Sequence, residues 1–522
     1  MTIQLSRRTL MSSMAGGLVA AGGLRTPSAR AQTPQQEGQP PAPGFTFDDL
    51  VGVARELAAQ GYAPPPDDLP PALRELSDDQ YRAIRFQPER ALWLEEKLPF
   101  QVQFFHRGGI YPRRVKINII DGANVYELGF SSQLFTYEVE GLDVGRIPPE
   151  IGFGGFRLHF PLNRPDVFDE VAAFRGANSF HGVGRGQVFG TSARAIAIDT
   201  ALSKPEEFPV LKEFWIEKPQ PSANALQILG LLDGPSLAGA YRFVIRPGDA
   251  TVFETEARLF ARRDIERIGY APLTSMFAWN EMQRPLPQVD DYRPEVHDAD
   301  GLMINASTGE WMWRPLTNPR TMRLSPFPAE TSPNGFGLLQ RDRAFGSYQD
   351  LLSLYQMRAS AWVEPLENWG EGAIQLAEFP TDQPKFDNIV AYWTPDESMA
   401  EGEERAVRYR LNFALDLPGR PPAGRVIATR TTPGPGAGWR RYLVEFNGGR
   451  LGELGADAEI EAVVTASEGR VIDPLTQHNR FENTWRAVFD FDPEEAQQAE
   501  LRMYLQSGDD ILTETWICPW PT

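Results

Sequence analysis

The chain has 522 residues, more than one ordinary hydrophobic core supports, so more than one domain is expected. A hydrophobic share of 42% and an aromatic share of 11% exclude a disordered or low-complexity protein. A formal net charge of -19 argues against nucleic acid and anionic lipid as partners and leaves a neutral polar ligand as the compatible class, although acidity also serves solubility.

The first element in chain order is Ser6-Arg7-Arg8-Thr9-Leu10-Met11. It is followed by an uncharged run of apolar and small residues from Leu10 to Leu24, then by Ala29-Arg30-Ala31, a small-x-small cleavage pattern. Together these predict a twin-arginine export signal over residues 1–31, with the mature chain starting near Gln32 and working in the periplasm. The run is too short and too rich in Gly and Ser for a stable membrane anchor; an uncleaved N-terminal anchor is the alternative. Without its four arginines the mature chain carries -23. Residues 32–44 read as a disordered linker.

A helix is expected next. Thr46 caps it, Asp49 follows three residues on, and Phe47, Leu50, Val51, Ala54, Leu57 and Ala58 share one face up to Gly61. Pro64 to Pro71 reads as a turn-rich linker, with short helices over Asp78–Ile84 and Glu89–Lys97. Then the period changes to two. Phe100–Phe105, Val115–Ile119, Phe156–Phe160, Ala225–Leu229, Tyr241–Ile245 and Val252–Phe260 alternate as strands between Gly, Pro and Asp clusters. This pattern predicts a mainly all-β chain built on a large antiparallel sandwich or barrel over residues 45–416. Leu417-Pro-Gly-Arg-Pro-Pro-Ala-Gly424 reads as a linker. Beyond it, about seven short strands over residues 425–522 suggest an immunoglobulin-like β-sandwich domain.

No cofactor or metal site is expected. The five histidines are scattered, and neither a Walker loop nor a Gly-x-Ser-x-Gly elbow occurs. The glycines of His181-Gly182-Val183-Gly184-Arg185-Gly186 miss the dinucleotide spacing and read as a loop. Cys518 is the sole cysteine, so no internal disulfide forms.

Six of the twelve tryptophans lie between 279 and 393, mingled with carboxylates. Aromatic faces stack on the CH-rich faces of sugar rings, and glycoside cleavage needs two carboxyl groups, one protonated and one ionised. Composition therefore permits a glycan site in 279–393; core packing and turn formation account for the same residue types equally well.

Longer blocks are more specific. Ala195-Ile-Ala-Ile-Asp-Thr-Ala201, Lys212-Glu-Phe-Trp-Ile-Glu217, Ala271-Pro-Leu-Thr-Ser-Met-Phe277 and Tyr292-Arg-Pro-Glu-Val-His-Asp298 come in order. They are followed by Gly309-Glu-Trp-Met-Trp-Arg-Pro-Leu316, Gly335-Phe-Gly-Leu-Leu-Gln-Arg341 and Asp387-Asn-Ile-Val-Ala-Tyr-Trp-Thr-Pro395. The series resembles the periplasmic glucan biosynthesis protein G and D family, from about Phe45 to the C-terminus. Twin-arginine leaders are typical of its D-type members, so Arg7-Arg8 tilts the chain toward that type.

The resemblance implies a galactose-mutarotase-like β-sandwich followed by an immunoglobulin-like domain. It implies work on β-1,2-glucan by an inverting glycoside hydrolase, with a functional link to a membrane glucan synthase. Carried over onto this sequence, the general acid is Asp387, the base is Asp298 acting through water and a substrate hydroxyl, and Tyr355 sits near the reacting bond. Trp311, Trp313, Trp362, Trp369 and Trp393 are the candidate sugar platforms. Pro384, Ala359 and Glu371 depart from residues common in relatives and bear on chain-length preference. Two alternatives remain at this level: a cyclising transglycosylase with the same acid, and a non-catalytic glucan-binding scaffold. A mutarotase, suggested by fold alone, is weakest.

Overall fold

The computed structural model describes residues 44–283, 290–417 and 423–521. The expected signal (1–31), nearly all of the linker at 32–44, and most of that at 417–424 lie outside the described residues.

The first helix, α1 (Phe47–Ala58), forms as the sequence dictates. Thr46 Oγ1 accepts from the Asp49 amide and the Asp49 carboxylate accepts from the Thr46 amide, a reciprocal cap that contributes about 1 kcal/mol. Leu50 and Ala54 are buried against Trp215, Leu229 and Phe260. Asp78–Arg82 forms α2 with a second such cap, Ser77 with Gln80. The helix expected over Glu89–Lys97 does not form. A 3-10 turn at Pro88–Arg90 ends there, and Trp93 and Lys97 take left-handed backbone conformations that break any helical run. Leu92 instead exchanges backbone hydrogen bonds with Val102.

The rest is strand. Eleven strands matter for the site: β1 (Gln101–His106), β2 (Phe153–Arg164), β3 (Val167–Arg175), β4 (Ser179–Gly182), β5 (Ser192–Arg194), β6 (Ile268–Ser275), β7 (Phe277–Trp279), β8 (Val296–His297), β9 (Arg323–Ala329), β10 (Gly372–Glu378) and β11 (Ile389–Pro395). A ten-stranded sheet runs β1-β2-β3-β4-β5-β6-β11-β10-β9, with Ile196–Ile198 also pairing to β6. Every pairing along it is antiparallel. β7 and β8 form a separate two-stranded ladder.

A fifteen-stranded sheet covers its inner face. Phe156, Phe174 and Phe180 of the first sheet meet Phe214, Phe243 and Phe253 of the second, with ring centroids 5.1 Å, 5.2 Å and 5.6 Å apart. Each fully buried Phe contributes roughly 2–3 kcal/mol. The period-two alternation is the origin of this sandwich, since it puts one apolar row of each strand inward. The chain is thus all-β in the main, as expected.

From Arg425 on, a four-stranded sheet packs on the strands Glu461–Ala466, Ala499–Ser507 and Thr515–Trp520. Tyr442 and Phe489 meet the edge of Trp516 across this second core. Thr515–Trp520 also pairs in parallel with Trp311–Pro315, so strand pairing runs across the expected domain boundary without a break.

Candidate active site

Two sequence neighbours hold the two carboxylates. The Asn388 amide donates to the Ser275 carbonyl at 3.1 Å, and the Asp298 amide donates to the Met276 carbonyl at 2.8 Å. Asp387 and Asp298 therefore flank the short stretch between β6 and β7. The Asn388 side chain fixes this junction. Its Oδ1 accepts from the Phe277 amide at 2.8 Å, and its Nδ2 donates to the carbonyls of Phe277 (2.9 Å) and Phe379 (3.0 Å). The asparagine satisfies backbone groups of Phe277 and Phe379 and leaves the preceding aspartate free for other work.

Asp387 is exposed, and Thr274 Oγ1 on β6 donates to its Oδ2 at 3.0 Å. Crowding by protein nevertheless raises its carboxyl above the ordinary value, against the Thr274 hydrogen bond and the charges of Arg194 and Arg358. The carboxyl is thus crowded by protein on one side and open to solvent on the other. Asp298 is only 7% exposed. Burial pushes it up to about 6; Arg358 opposes that shift and Asp387 adds to it. Arg358 Nη1 donates to Asp298 Oδ1 at 2.5 Å. No hydrogen bond joins the two carboxylates.

Arg358 also lies over the Tyr355 ring, 4.5 Å from its centroid. Arg293 Nη1 reaches the Tyr355 hydroxyl at 3.5 Å and is itself held by Asp291 and Asp350. Leu354, just before Tyr355, takes a left-handed conformation at φ 49°, a cost of roughly 1–2 kcal/mol that the surrounding bonds offset. Asp387, Asp298, Tyr355 and Arg358 thus meet at one end of the ten-stranded sheet.

Beneath them lies a buried relay. Gln340 Nε2 donates to the carbonyls of His297 and Tyr355, at 2.9 Å and 3.2 Å, which fixes the amide orientation. Its Oε1 then faces His297 Nδ1 at 2.8 Å, so Nδ1 carries a proton. His297 Nε2 meets Glu295 Oε2 at 3.0 Å. Burial, with the Asp342 charge, pushes Glu295 up to about 8, so its carboxyl keeps a proton at neutral pH and donates it to His297. The residue beside the candidate base and the turn that carries the tyrosine are braced by one amide.

The tryptophan platforms require correction. Trp393 is fully buried in the main core, with Trp369 packed against it. Trp313 and Trp362 are buried in the C-terminal core, Trp313 beneath the Arg341 guanidinium at 3.6 Å, and the half-buried Trp311 stacks on Trp362. None is brought to Asp387; packing accounts for all five. The exposed aromatics near the carboxylates are Phe386 (55% exposed) and Tyr292 (76%), each one residue from a site residue, together with Phe208 beside Arg194. Thr274, Arg293, Gln340 and these three rings escape sequence reasoning. Their one legible signal is adjacency to chemistry-bearing residues in loops between strands.

Among the described residues no group of His, Cys, Asp and Glu is arranged to hold a metal ion, and no helix is long and apolar enough to cross a membrane.

Comparison with known proteins gives one answer. Residues 45–520 match the family described as periplasmic glucan biosynthesis protein, MdoG. Glucans biosynthesis protein G of Ralstonia nicotianae is 43% identical over 90% of this chain and 95% of its own length. Glucans biosynthesis protein D 1 of the same organism is 42% identical over 99% and 98%, and glucans biosynthesis protein D of Stenotrophomonas maltophilia 41% over 98% and 97%. Identity to the two types is nearly equal and does not separate G from D.

Proposed function

The chain belongs to the periplasmic glucan biosynthesis protein family, and on that premise we propose that it cleaves β-1,2-glucan within the chain, with inversion, in the periplasm. Its exit by the twin-arginine route is part of the same reading, resting on Arg7-Arg8.

The observation that carries the proposal is the pairing of two unlike carboxyls on either side of one strand junction. Asp387 is open to solvent and has its proton affinity raised, which suits a general acid that protonates the departing oxygen. Asp298 is buried, ion-paired to Arg358 and held near 6, so it is ionised at neutral pH and serves as the base. With so little of its surface exposed, Asp298 reaches a nucleophilic water through a relay rather than directly, and a substrate hydroxyl completes that path. Tyr355, only 3% exposed and stacked beneath Arg358, acts at the reacting bond by holding that guanidinium in place.

Proton NMR of the first products formed from linear β-1,2-glucan is the test. Shorter linear chains released with the α-anomer at the new reducing end support the proposal. Retained β-configuration overturns the acid–base pairing, and products one water lighter than linear chains overturn hydrolysis.

A further inference from the structure

A groove of about 800 Å³ lies between the start of β9 with the loop before it and the far end of the C-terminal strands. We propose that it is a second glucan-binding stretch, taking the polysaccharide beyond the reacting bond; this rests on the reading of the active site given above.

Register places it. Arg323 at the start of β9 pairs with Glu378 of β10, which pairs with Ile389 of β11, two residues after Asp387. The near end of the groove therefore lies about 10 Å, two strand spacings, from the strand that follows the acid. The loop between β10 and β11 bridges that interval. It is tied to the groove's own loop by Asn318, whose Nδ2 donates to the Thr381 carbonyl at 2.8 Å while its Oδ1 accepts from the Thr381 amide at 3.0 Å. A chain leaving Asp387 over Phe386 is thus led along a fixed surface into the groove.

The chemistry fits an uncharged sugar. Arg320, Thr321, Ser325, Gln497 and Gln498 line the groove, and their side chains make no hydrogen bond or ion pair to the described protein residues. Uncommitted amides and hydroxyls are solvated, and sugar hydroxyls replace that water at little cost. Trp520 is half-buried and set edge-on against Phe491 at 5.6 Å, so part of its ring also lines the wall. The charges there, Arg320 and Arg323 against Glu468 and Glu500, balance, so no anion is called for.

A protein strand is the wrong occupant. β9 ends the ten-stranded sheet, and Pro326 and Pro328 alternate along it without amide protons, which blocks edge-to-edge pairing.

The test has two arms. Hydrogen–deuterium exchange of the Asp387→Asn protein with long linear β-1,2-glucan is expected to show protection at residues 319–326 and 496–500 as well as around Ser275 and Asp298. In the Arg320→Ala/Gln498→Ala protein, the advantage of long over short chains in kcat/KM is expected to fall about fivefold to tenfold. Protection confined to the carboxylate site, or an unchanged length dependence, overturns the groove and leaves the active-site reading standing. Protection nowhere, with no cleavage by the unaltered protein, overturns both.

Discussion

The carboxylate end of the ten-stranded sheet and the C-terminal strands from Arg425 onward are both closely packed, yet they are held by different forces. At the carboxylate end, Asn388, Gln340, His297, Glu295 and Arg358 spend nearly all their hydrogen-bonding capacity on fixing neighbours. In the C-terminal core, Tyr442, Phe489, Met503, Leu505, Trp516 and Cys518 are at most 1% exposed and do their work by excluding water. Directional polar bonds set the position and protonation of a few groups and add little net stability. Apolar burial does the reverse. A mutation in one region should therefore leave the other region's property intact.

The largest effect comes from the acid. Asp387→Asn is expected to lower kcat on β-1,2-glucan by about 10²–10⁴-fold with little change in thermal midpoint, since only the Thr274 hydrogen bond is altered. Assays of turnover beside calorimetry check both halves. Trp516→Ala is the mirror case. It removes a fully buried ring and the bond its Nε1 donates to Thr429 Oγ1 at 3.0 Å. We expect a loss of about 3–5 kcal/mol in denaturant unfolding, with turnover per folded molecule retained. If the tryptophan variant stays folded but loses turnover, the two regions are coupled.

A subtler test uses pH. The base must be ionised, so kcat/KM is expected to fall about tenfold per unit as pH drops below the Asp298 value of about 6. Arg358→Gln removes the cation that opposes the rise of Asp298, so the acidic limb should move to higher pH. A limb that stays in place would show that another group governs it. The alkaline limb belongs to Asp387, whose proton must be present. Its raised affinity widens the active range upward.

How far the sequence spoke for itself differs in the same way between the regions. Thr46 with Asp49 announced α1, and alternation announced the strands, because both depend on neighbours in the chain. Asp387 and Asp298 were legible as words in longer blocks, not from their own chemistry. The tryptophans misled because ring content says nothing of which face a strand turns inward; β11 is buried on both faces from Ile389 to Thr394, Trp393 included. Glu89–Lys97 misled because backbone bonding to Val102, remote from any helical period, decided its shape. Gln340 was invisible as a brace, since its partners His297 and Tyr355 lie 43 and 15 residues away in the chain.

A last test asks whether the polar region stores a proton. Glu295 binds its proton near 8 in the folded protein and near 4.5 when unfolded. As pH rises through that interval the unfolded chain releases the proton while the folded one keeps it, so the protein loses stability with rising pH. Below about 4.5 both states are protonated and the difference vanishes. Glu295→Gln keeps a donor toward His297 Nε2 but has no proton to release. Its advantage over the unaltered protein should be slight near pH 5 and grow toward pH 8, to about 3 kcal/mol in unfolding experiments. Parallel stability curves across that range would mean that Glu295 is ionised in the fold. The brace beneath Asp298 would then not be the neutral relay described.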